Sequence, residues 1–329
     1  MMRCQPPECL VTRRMLIAGA AAGAVVGAPP RASAAIDGFV IIGKDDWLFP
    51  VFDDLRRLDV ARLRSVTQLI IESVAILKRG GIETVISVTP AKSRIYRDYL
   101  PSDYQFAPEV EKRYSMALDL FSKQGILAPD LSTVLLNLRK SQPDVALFFK
   151  ADTHWTGAGA EPAAIELATQ IKAKTRLPPS ARPGTALGPV TTLRQAGNDL
   201  SEQLPDALAA KYKPQSYTVH QPVAAAGLLG DDAADTSLVG NSFMQPKYNF
   251  ASMLSNQIGR PVSLVWKVHQ ASPYRTLLGA LSGKPKPKLL VWDFQETDMV
   301  AGPDESNIWS PNAMSGDTFL AELRKTVGA

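Results

Sequence analysis

The sequence predicts a three-layer α/β domain built on a mostly parallel β-sheet. From Ile36 onward, short β-branched runs alternate with longer segments whose apolar residues recur every three or four positions. The segments between the strand-like runs are long enough for helical crossovers, which parallel strands require. The chain has 329 residues, 45% of them hydrophobic and 21% charged, so it can bury one large core or two small ones.

The elements follow in order along the chain. The clearest helix is 60–79, where apolar residues at steps of three and four form one face and Gly80-Gly81 ends the pattern. Strands are predicted at 39–42, 84–88, 145–149, 237–239, 262–268 and 289–292. Further helices are predicted at 108–123, 157–174 and 248–258. Residues 176–236 interrupt this alternation with scattered prolines and small residues, which indicates an irregular, lid-like insertion.

The amino terminus has the pattern of an export signal. Arg13-Arg14 precede an apolar stretch at 15–28, and Ala32-Ser33-Ala34 provide a small-residue cleavage site. The paired arginines and the weakly hydrophobic middle resemble a twin-arginine signal. We therefore expect residues 1–34 to be the signal, residues 35–329 to be the catalytic domain, and the location to be the periplasm. An uncleaved anchor would give the same compartment, and no later segment is apolar enough to span a membrane.

Composition excludes several classes of function. The net charge of +4 comes largely from the signal, because residues 35–329 carry 32 basic and 31 acidic residues. A surface so close to neutral predicts no nucleic-acid partner. Both cysteines, Cys4 and Cys9, lie in the signal, so the mature chain has no disulfide and no thiolate metal site. No phosphate loop or dinucleotide fingerprint follows a strand, so we expect no cofactor.

A histidine near a carboxylate offers the first chemical clue. The sequence has three histidines, which are His154, His220 and His269. His154 follows the predicted strand at 145–149, and Asp152 stands two residues before it, so both side chains point the same way on extended backbone. The carboxylate could hold the imidazole in the tautomer whose Nε2 is a base. For the other two histidines, an ordinary surface or hydrogen-bonded role is favoured.

Ser242 is the candidate nucleophile. It follows Gly240-Asn241 at the end of a predicted strand, where a tight turn exposes a hydroxyl and directs backbone N–H groups at an oxyanion. Most Gly-x-Ser triplets are ordinary turns or caps, and Asp-x-His could also be part of a metal site. Metal is less favoured, because a catalytic zinc needs three protein ligands and no third one has suitable spacing. Together the two motifs fit an Asp-His-Ser triad of a hydrolase or acyltransferase.

Several motifs resemble a known family, the SGNH-hydrolase-like domain of the alginate O-acetyltransferases AlgJ and AlgX. They are Gly43-Lys44-Asp45-Asp46-Trp47-Leu48-Phe49, Thr89-Pro90-Ala91-Lys92, Tyr96, Tyr99-Leu100-Pro101, Asp152-Thr153-His154-Trp155, Gly240-Asn241-Ser242-Phe243, Tyr248-Asn249-Phe250 and Val291-Trp292-Asp293-Phe294. They recur in the family's order over roughly residues 40–295. The resemblance implies an SGNH-hydrolase-like fold in which Asp and His precede Ser, the permuted triad order. Asn241 stands where the family frequently has Asp.

The resemblance also implies a function. It implies a periplasmic enzyme that moves acetyl groups onto hydroxyls of alginate or a related exopolysaccharide, with a membrane-bound O-acyltransferase as the acetyl supplier. Ser242 would carry the acetyl group, His154 would act as base and acid, and Asp152 would orient His154. The region of Gly240 and Ser242 would supply backbone donors for the oxyanion hole, and Asn249 is a further candidate. Lys92 and Arg275 are candidate contacts to an anionic polymer.

Two other functions remain open on the sequence. An acetyl esterase would use the same triad with water as the acceptor, and the difference lies in whether the site excludes water. A non-catalytic subunit that binds polymer or scaffolds an export complex would need no triad.

Overall fold

The structure is a computed structural model that describes residues 36–53, 56–104, 106–223, 234–267, 272–305 and 312–329. The predicted signal at 1–34 lies outside these residues. The strands are β1 Ile36–Asp37, β2 Val40–Ile42, β3 Leu48–Pro50, β4 Glu83–Thr89, β5 Leu187–Arg194, β6 Ser216–Pro222, β7 Thr236–Gly240, β8 Val262–Trp266 and β9 Leu289–Gln295. The helices are α1 Val60–Arg79, α2 Lys92–Ile95, α3 Pro108–Glu111, α4 Arg113–Lys123, α5 Leu131–Ser141, α6 Gly157–Lys174, α7 Asp206–Ala209, α8 Phe250–Ile258, α9 Pro273–Leu281 and α10 Gly316–Val327.

The central sheet has the strand order β4-β9-β7-β8, and every neighbouring pair is parallel. Successive residues point to opposite faces, so Leu238 joins the apolar cluster of one face and Val239 that of the other. Helices α5, α6 and α8 cover the first face, and α1, α4, α9 and α10 cover the second. The predicted three-layer α/β class is confirmed.

Local signals set the helix ends. The α1 helix begins after Asp59, whose carboxylate accepts a hydrogen bond from the backbone N–H of Arg62, and it ends at Gly80. The predicted helix at 108–123 is divided into α3 and α4 at Lys112.

Among the described residues, every helix is too short or too polar to cross a membrane.

The strand predicted at 145–149 is wrong. Leu147, Phe148 and Phe149 are fully buried as their apolar character requires, but they form only an isolated bridge between Phe148 and Trp155. Their backbone groups find other partners: the N–H of Leu147 donates to the Tyr96 hydroxyl, and its carbonyl accepts from Thr156 N. An apolar run indicates burial, and burial does not require a place in a sheet.

The segment predicted as an irregular insertion contains regular structure. Strands β5 and β6 pair antiparallel as a separate two-stranded ribbon, and the pairing shifts register between Leu187 and Val190. Between them, Leu200 and Leu204 pack into a small apolar cluster with Val40, Leu48 and Ala151. The backbone N–H of Ser201 donates to the carbonyl of Ala151. This part of the chain is thereby attached next to the segment that carries Asp152 and His154.

A buried charge cluster holds the end of β9 against the segment after β4. Glu296 has no exposed surface, and its carboxylate accepts hydrogen bonds from Arg94 (2.5 and 2.8 Å), Arg113 (3.0 Å) and the backbone N–H of Ala91 (3.1 Å). Burial alone would raise the pKa of Glu296, but the two guanidinium groups and the Ala91 N–H lower it below its usual value.

We expect Glu296→Gln to lower the free energy of unfolding by about 3–5 kcal/mol, because it leaves buried guanidinium groups without their counter-charge. Urea unfolding followed by circular dichroism measures the loss. Glu111→Gln is the control, since Glu111 pairs with Arg97 at the surface and should contribute less than about 1 kcal/mol. Equal effects of the two substitutions would contradict a structural role for the buried cluster.

Candidate active site

Ser242 lies at the carboxyl end of the central sheet, in a tight turn after β7. Gly240 is the last residue of β7, and residues 242–244 form one turn of 3-10 helix. The side-chain oxygen of Asn241 accepts a hydrogen bond from the N–H of Phe243 at 2.9 Å and so closes the turn. A Cβ at Gly240 would lie 2.5 Å from Cγ of Met244 and 3.2 Å from Cβ of Asp293, so this position requires glycine.

The turn is held from beneath by a buried carboxyl group. Asp293 on β9 has no exposed surface and accepts hydrogen bonds from the Ser87 hydroxyl (2.7 Å) and the Thr89 hydroxyl (3.1 Å). Its other oxygen faces the Asn241 amide, which donates at 3.1 Å. Burial raises the pKa of Asp293 well above its usual value. An amide at position 241 therefore pairs with this group without placing a second acid beside it.

His154 and Asp152 form a close pair at the start of α6. Nδ1 of His154 lies 2.8 Å from Oδ1 of Asp152, and the backbone N–H of His154 donates to the same oxygen at 2.9 Å. The side chains of both residues are nearly buried, with 10% of His154 and 5% of Asp152 exposed. A carboxylate at Nδ1 favours the tautomer with the proton there, which leaves the lone pair of Nε2 available.

The structure brings the two sequence motifs together. Nε2 of His154 lies 2.8 Å from Oγ of Ser242, although the residues are 88 positions apart in the chain. The indole N–H of Trp155 donates to the carbonyl of Phe243 at 2.9 Å, so the two loops are joined directly beside the reactive atoms. An imidazole in this position can accept the hydroxyl proton as the oxygen attacks an electrophile.

Asp152 accepts four hydrogen bonds. Two come from His154, and the second oxygen accepts from the Gln195 amide (2.8 Å) and from the backbone N–H of Asp199 (3.1 Å). Burial alone would raise the pKa of Asp152, but the hydrogen bond and charge of His154, together with backbone donors, lower it below its usual value. Asp152 therefore stays ionised and can balance a positive charge on the ring.

Sequence reasoning missed Gln195, Asp199 and the aromatic walls of the site. The ring of Tyr248 stacks on His154 with centroids 5.4 Å apart, and the ring of Phe243 lies 4.9 Å away. Phe243 and Tyr248 flank the Ser242 turn in sequence, so their proximity was a usable signal. Gln195 and Asp199 lie in the insertion, where no periodicity indicates a position relative to the sheet.

Lys92 lies inside the protein, against the expectation of a polymer contact. The residue is 1% exposed, and its ammonium group donates to the backbone carbonyls of Leu48 (2.5 Å), Lys150 (3.1 Å) and Asp152 (2.8 Å). These bonds join the β3 strand to the loop that carries the His154–Asp152 pair. A basic residue after a strand suggested a surface cation, but carbonyls of β3 and of the irregular segment at 145–152 offer the ammonium group three acceptors inside the protein.

Asn249 does not face the reactive atoms, against the expectation of an oxyanion-hole role. It is buried in the left-handed conformation with φ of 68°, and its amide donates to Glu161 (2.7 Å) and to the carbonyl of His220 (2.9 Å). The Glu161 carboxylate also lies 2.6 Å from Nδ1 of His220, so His220 has the hydrogen-bonded role expected of it.

The two remaining predicted site residues, Arg275 and Gly240, are engaged by other parts of the chain. Arg275 is on α9, and its guanidinium donates to the carbonyl of Asn312. His269 lies outside the described residues. Gly240 is at the base of the Ser242 turn, but it is paired with Trp266 as part of β7.

One group of side chains in the described residues could geometrically hold a cation. It consists of Asp152, His154 and Asp199, whose ligand atoms lie within 4.8 Å of one another. However, Nδ1 of His154 is already engaged by Asp152, and both backbone N–H donors and the Gln195 amide occupy Asp152. A cation would have to displace these bonds, so the residues fit a hydrogen-bonded pair better than a metal centre.

The chain is similar in sequence to proteins of a known family. A family model described as "SGNH hydrolase-like domain, acetyltransferase AlgX" matches residues 40–296. The chain is 29% identical to a Pseudomonas aeruginosa protein named "Probable alginate O-acetylase AlgJ", covering 81% of this chain and 72% of that protein. It is 28% identical to the P. aeruginosa alginate biosynthesis protein AlgX, covering 78% of this chain and 55% of the relative.

Solved structures show the same fold. The O-acetyltransferase domain of Pseudomonas putida AlgJ superposes with a TM-score of 0.68 at 23% identity, covering 87% of this chain and 99% of that domain. The structure of P. aeruginosa AlgX gives a TM-score of 0.58 at 25% identity, covering 79% of this chain and 66% of AlgX.

We expect Lys92→Met to lower the free energy of unfolding by about 2–3 kcal/mol, because it removes the charged donor shared by three backbone carbonyls. Thermal and urea unfolding measure the loss. Lys172→Met, at a surface position in the last turn of α6, is the control and should be nearly neutral. Unchanged stability together with weaker polymer binding would instead support the surface-contact expectation.

Proposed function

Because this chain belongs to the AlgX family of SGNH hydrolase-like acetyltransferase domains, we propose that it transfers acetyl groups to exopolysaccharide hydroxyls through an acetyl-Ser242 intermediate. The family is one of alginate O-acetylation, and the relatives' names make alginate or a related polyuronate the proposed acceptor. The observation that carries the proposal is the short Ser242–His154–Asp152 chain of hydrogen bonds at the carboxyl end of the sheet.

In the first half-reaction, Nε2 of His154 takes the Ser242 hydroxyl proton while Oγ attacks the acetyl carbonyl carbon. The tetrahedral intermediate collapses, the donor's leaving group departs with the proton from Nε2, and acetyl-Ser242 remains. In the second half-reaction, Nε2 takes a proton from a sugar hydroxyl whose oxygen attacks the acetyl carbon. Oγ of Ser242 leaves and regains the proton. In both steps, Asp152 balances the transient positive charge on the ring.

A backbone donor is available for the oxyanion. Within the described part of the chain, the N–H of Ser242 has no hydrogen-bond acceptor, and the Asn241–Phe243 bond fixes the turn that presents it. An N–H held rigidly beside the attacking oxygen stabilises the negative charge that develops on the carbonyl oxygen. The proposed donor thus belongs to the Gly240–Ser242 turn, which the sequence offered for this role together with Asn249.

The proposed function also implies a compartment and a supplier of acetyl groups. The twin-arginine-type pattern at residues 1–34 supports export to the periplasm. There, a membrane-bound O-acyltransferase is the proposed supplier of acetyl groups. The chain's own residues need no cofactor for this chemistry, because nucleophile, base and orienting carboxylate are all side chains.

We expect Ser242→Ala to reduce acetyl transfer by about a thousandfold or more, because it removes the attacking oxygen. The assay incubates purified protein with p-nitrophenyl acetate, with and without mannuronate oligosaccharides, and measures acetylated sugar by mass spectrometry. Ser115→Ala, at an exposed position on α4, should leave transfer unchanged. Full transfer by the Ser242→Ala variant would overturn the proposal.

The same assay separates transfer from hydrolysis. Acetylated oligosaccharide that depends on Ser242 supports the transferase. Donor consumption that depends on Ser242 but yields no acetylated acceptor, across polyuronate and neutral oligosaccharides, would instead identify an acetyl esterase. If Ser242→Ala alters neither donor consumption nor sugar acetylation, the enzyme proposal fails and a non-catalytic polymer-binding role gains support.

A further inference from the structure

We propose that Asp199 is a second carboxylate for His154, a positioning residue that stabilises the imidazolium formed when the Ser242 hydroxyl loses its proton. This inference rests on the proposed function. It assigns a role to a residue in the insertion between β5 and β6, away from the motifs that identify the site.

The geometry of Asp199 directs its charge at the ring. Its Oδ2 lies 3.6 Å from Nδ1 of His154, the nitrogen that already contacts Asp152. Its Oδ1 accepts a hydrogen bond from the backbone N–H of Thr153 at 2.7 Å, which fixes the carboxylate beside the loop between Asp152 and His154. Its own backbone N–H donates to Asp152. Asp199 is therefore hydrogen-bonded to Asp152 and to Thr153, the two residues that precede His154.

The two carboxylates have different surroundings and therefore different tasks. Asp152 is nearly buried and its oxygens accept four hydrogen bonds, so it fixes the orientation and tautomer of the ring. The side chain of Asp199 is 43% exposed, so solvent weakens its field but does not cancel it at 3.6 Å. Asp199 acts through charge at a distance slightly beyond a hydrogen bond.

The charges around the ring make the effect depend on its protonation state. Among the residues that the structure describes, the titratable groups that face Asp199 are Asp152 and His154, and the neutral Tyr248 hydroxyl belongs to the same cluster. With a neutral ring, the two carboxylates repel each other. Partial burial and the charge of Asp152 accordingly raise the pKa of Asp199. A positive ring relieves this repulsion, so Asp199 favours proton uptake by His154.

The insertion holds Asp199 in place. The backbone N–H of Glu202 donates to the carbonyl of Asn198 at 3.0 Å, which closes a turn that contains Asp199. On the other side, Leu200 and Leu204 pack against Ala151. The Gln195 amide at the start of this segment donates to Asp152. The segment 195–204 is thus attached to the catalytic loop at several points.

Substitution by Asn separates charge from hydrogen bonding. In Asp199→Asn the side-chain oxygen can still accept from Thr153, whereas the negative charge is lost. We expect the acidic limb of the transfer rate–pH profile to move down by about one pH unit and the plateau rate to fall about tenfold. Asp206→Asn, an exposed position at the start of α7, removes the same charge away from the ring and should change neither.

An activity-independent measurement accompanies the rate profile. The NMR titration of the His154 ring in histidine-labelled protein should show its midpoint about one unit lower in Asp199→Asn than in the unsubstituted protein. Asp199→Ala should give the same shift plus a loss of stability, because the Thr153 bond is also lost. A slower Asp199→Asn enzyme with an unmoved rate profile and an unmoved His154 midpoint would show a purely structural role and overturn the inference.

Ser242→Ala tests the proposed function, and the His154 titration tests the role of Asp199, so the two can be judged separately. Activity that survives Ser242→Ala would end the proposed function, but the His154 titration would still report whether Asp199 acts on the ring. Conversely, if Ser242→Ala abolishes transfer while Asp199→Asn shifts neither the rate profile nor the ring titration, the triad stands and the role of Asp199 is refuted.

Discussion

The buried carboxylate of Asp152 is the interaction on which the candidate site depends. It accepts hydrogen bonds from the ring and backbone of His154, from the Gln195 side chain and from the backbone of Asp199. These donors come from two separate parts of the chain, so one ionised group joins the loop of Asp152 and His154 to the insertion. A charge this deeply buried is tolerated only because every donor is directed at it. The Lys92 ammonium anchors the backbone of the same residue through its carbonyl.

The fold supplies the other half of the site by a different principle. In a parallel sheet, the carboxyl ends of the strands meet at one edge, and side chains that follow β7 and β9 are neighbours there. Ser242 follows β7, and Asp293 near the end of β9 holds the Asn241 amide that closes the turn. Ser242, the proposed nucleophile, is thus positioned by the regular sheet, whereas His154, its proposed base, is positioned by an irregular loop. The hydrogen bond from the Trp155 indole N–H to the Phe243 carbonyl holds the His154 loop against the Ser242 turn.

Sequence reasoning reached the fold class and grouped Asp152, His154 and Ser242, because alternating periodicity and short polar motifs are local signals. The strand at 145–149 was wrong because buried apolar residues look alike inside and outside a sheet; here Tyr96 and Thr156 satisfy the backbone. Lys92 and Asn249 were misplaced because hydrogen bonds to distant carbonyls and carboxylates leave no local pattern. Asp199 was missed because its partners lie 45 or more positions away, beyond any periodicity of the insertion.

Activation of the Ser242 hydroxyl by His154 is the step on which the proposed function depends. Its most direct test is the rate at which a serine-directed sulfonyl fluoride modifies the protein, with the modified peptide identified by mass spectrometry. We expect a single modified residue, Ser242, with labelling slowed by about a hundredfold or more in a folded His154→Gln variant. Labelling at Ser242 that is equally fast in the variant, or absent from Ser242 in the unsubstituted protein, would contradict it.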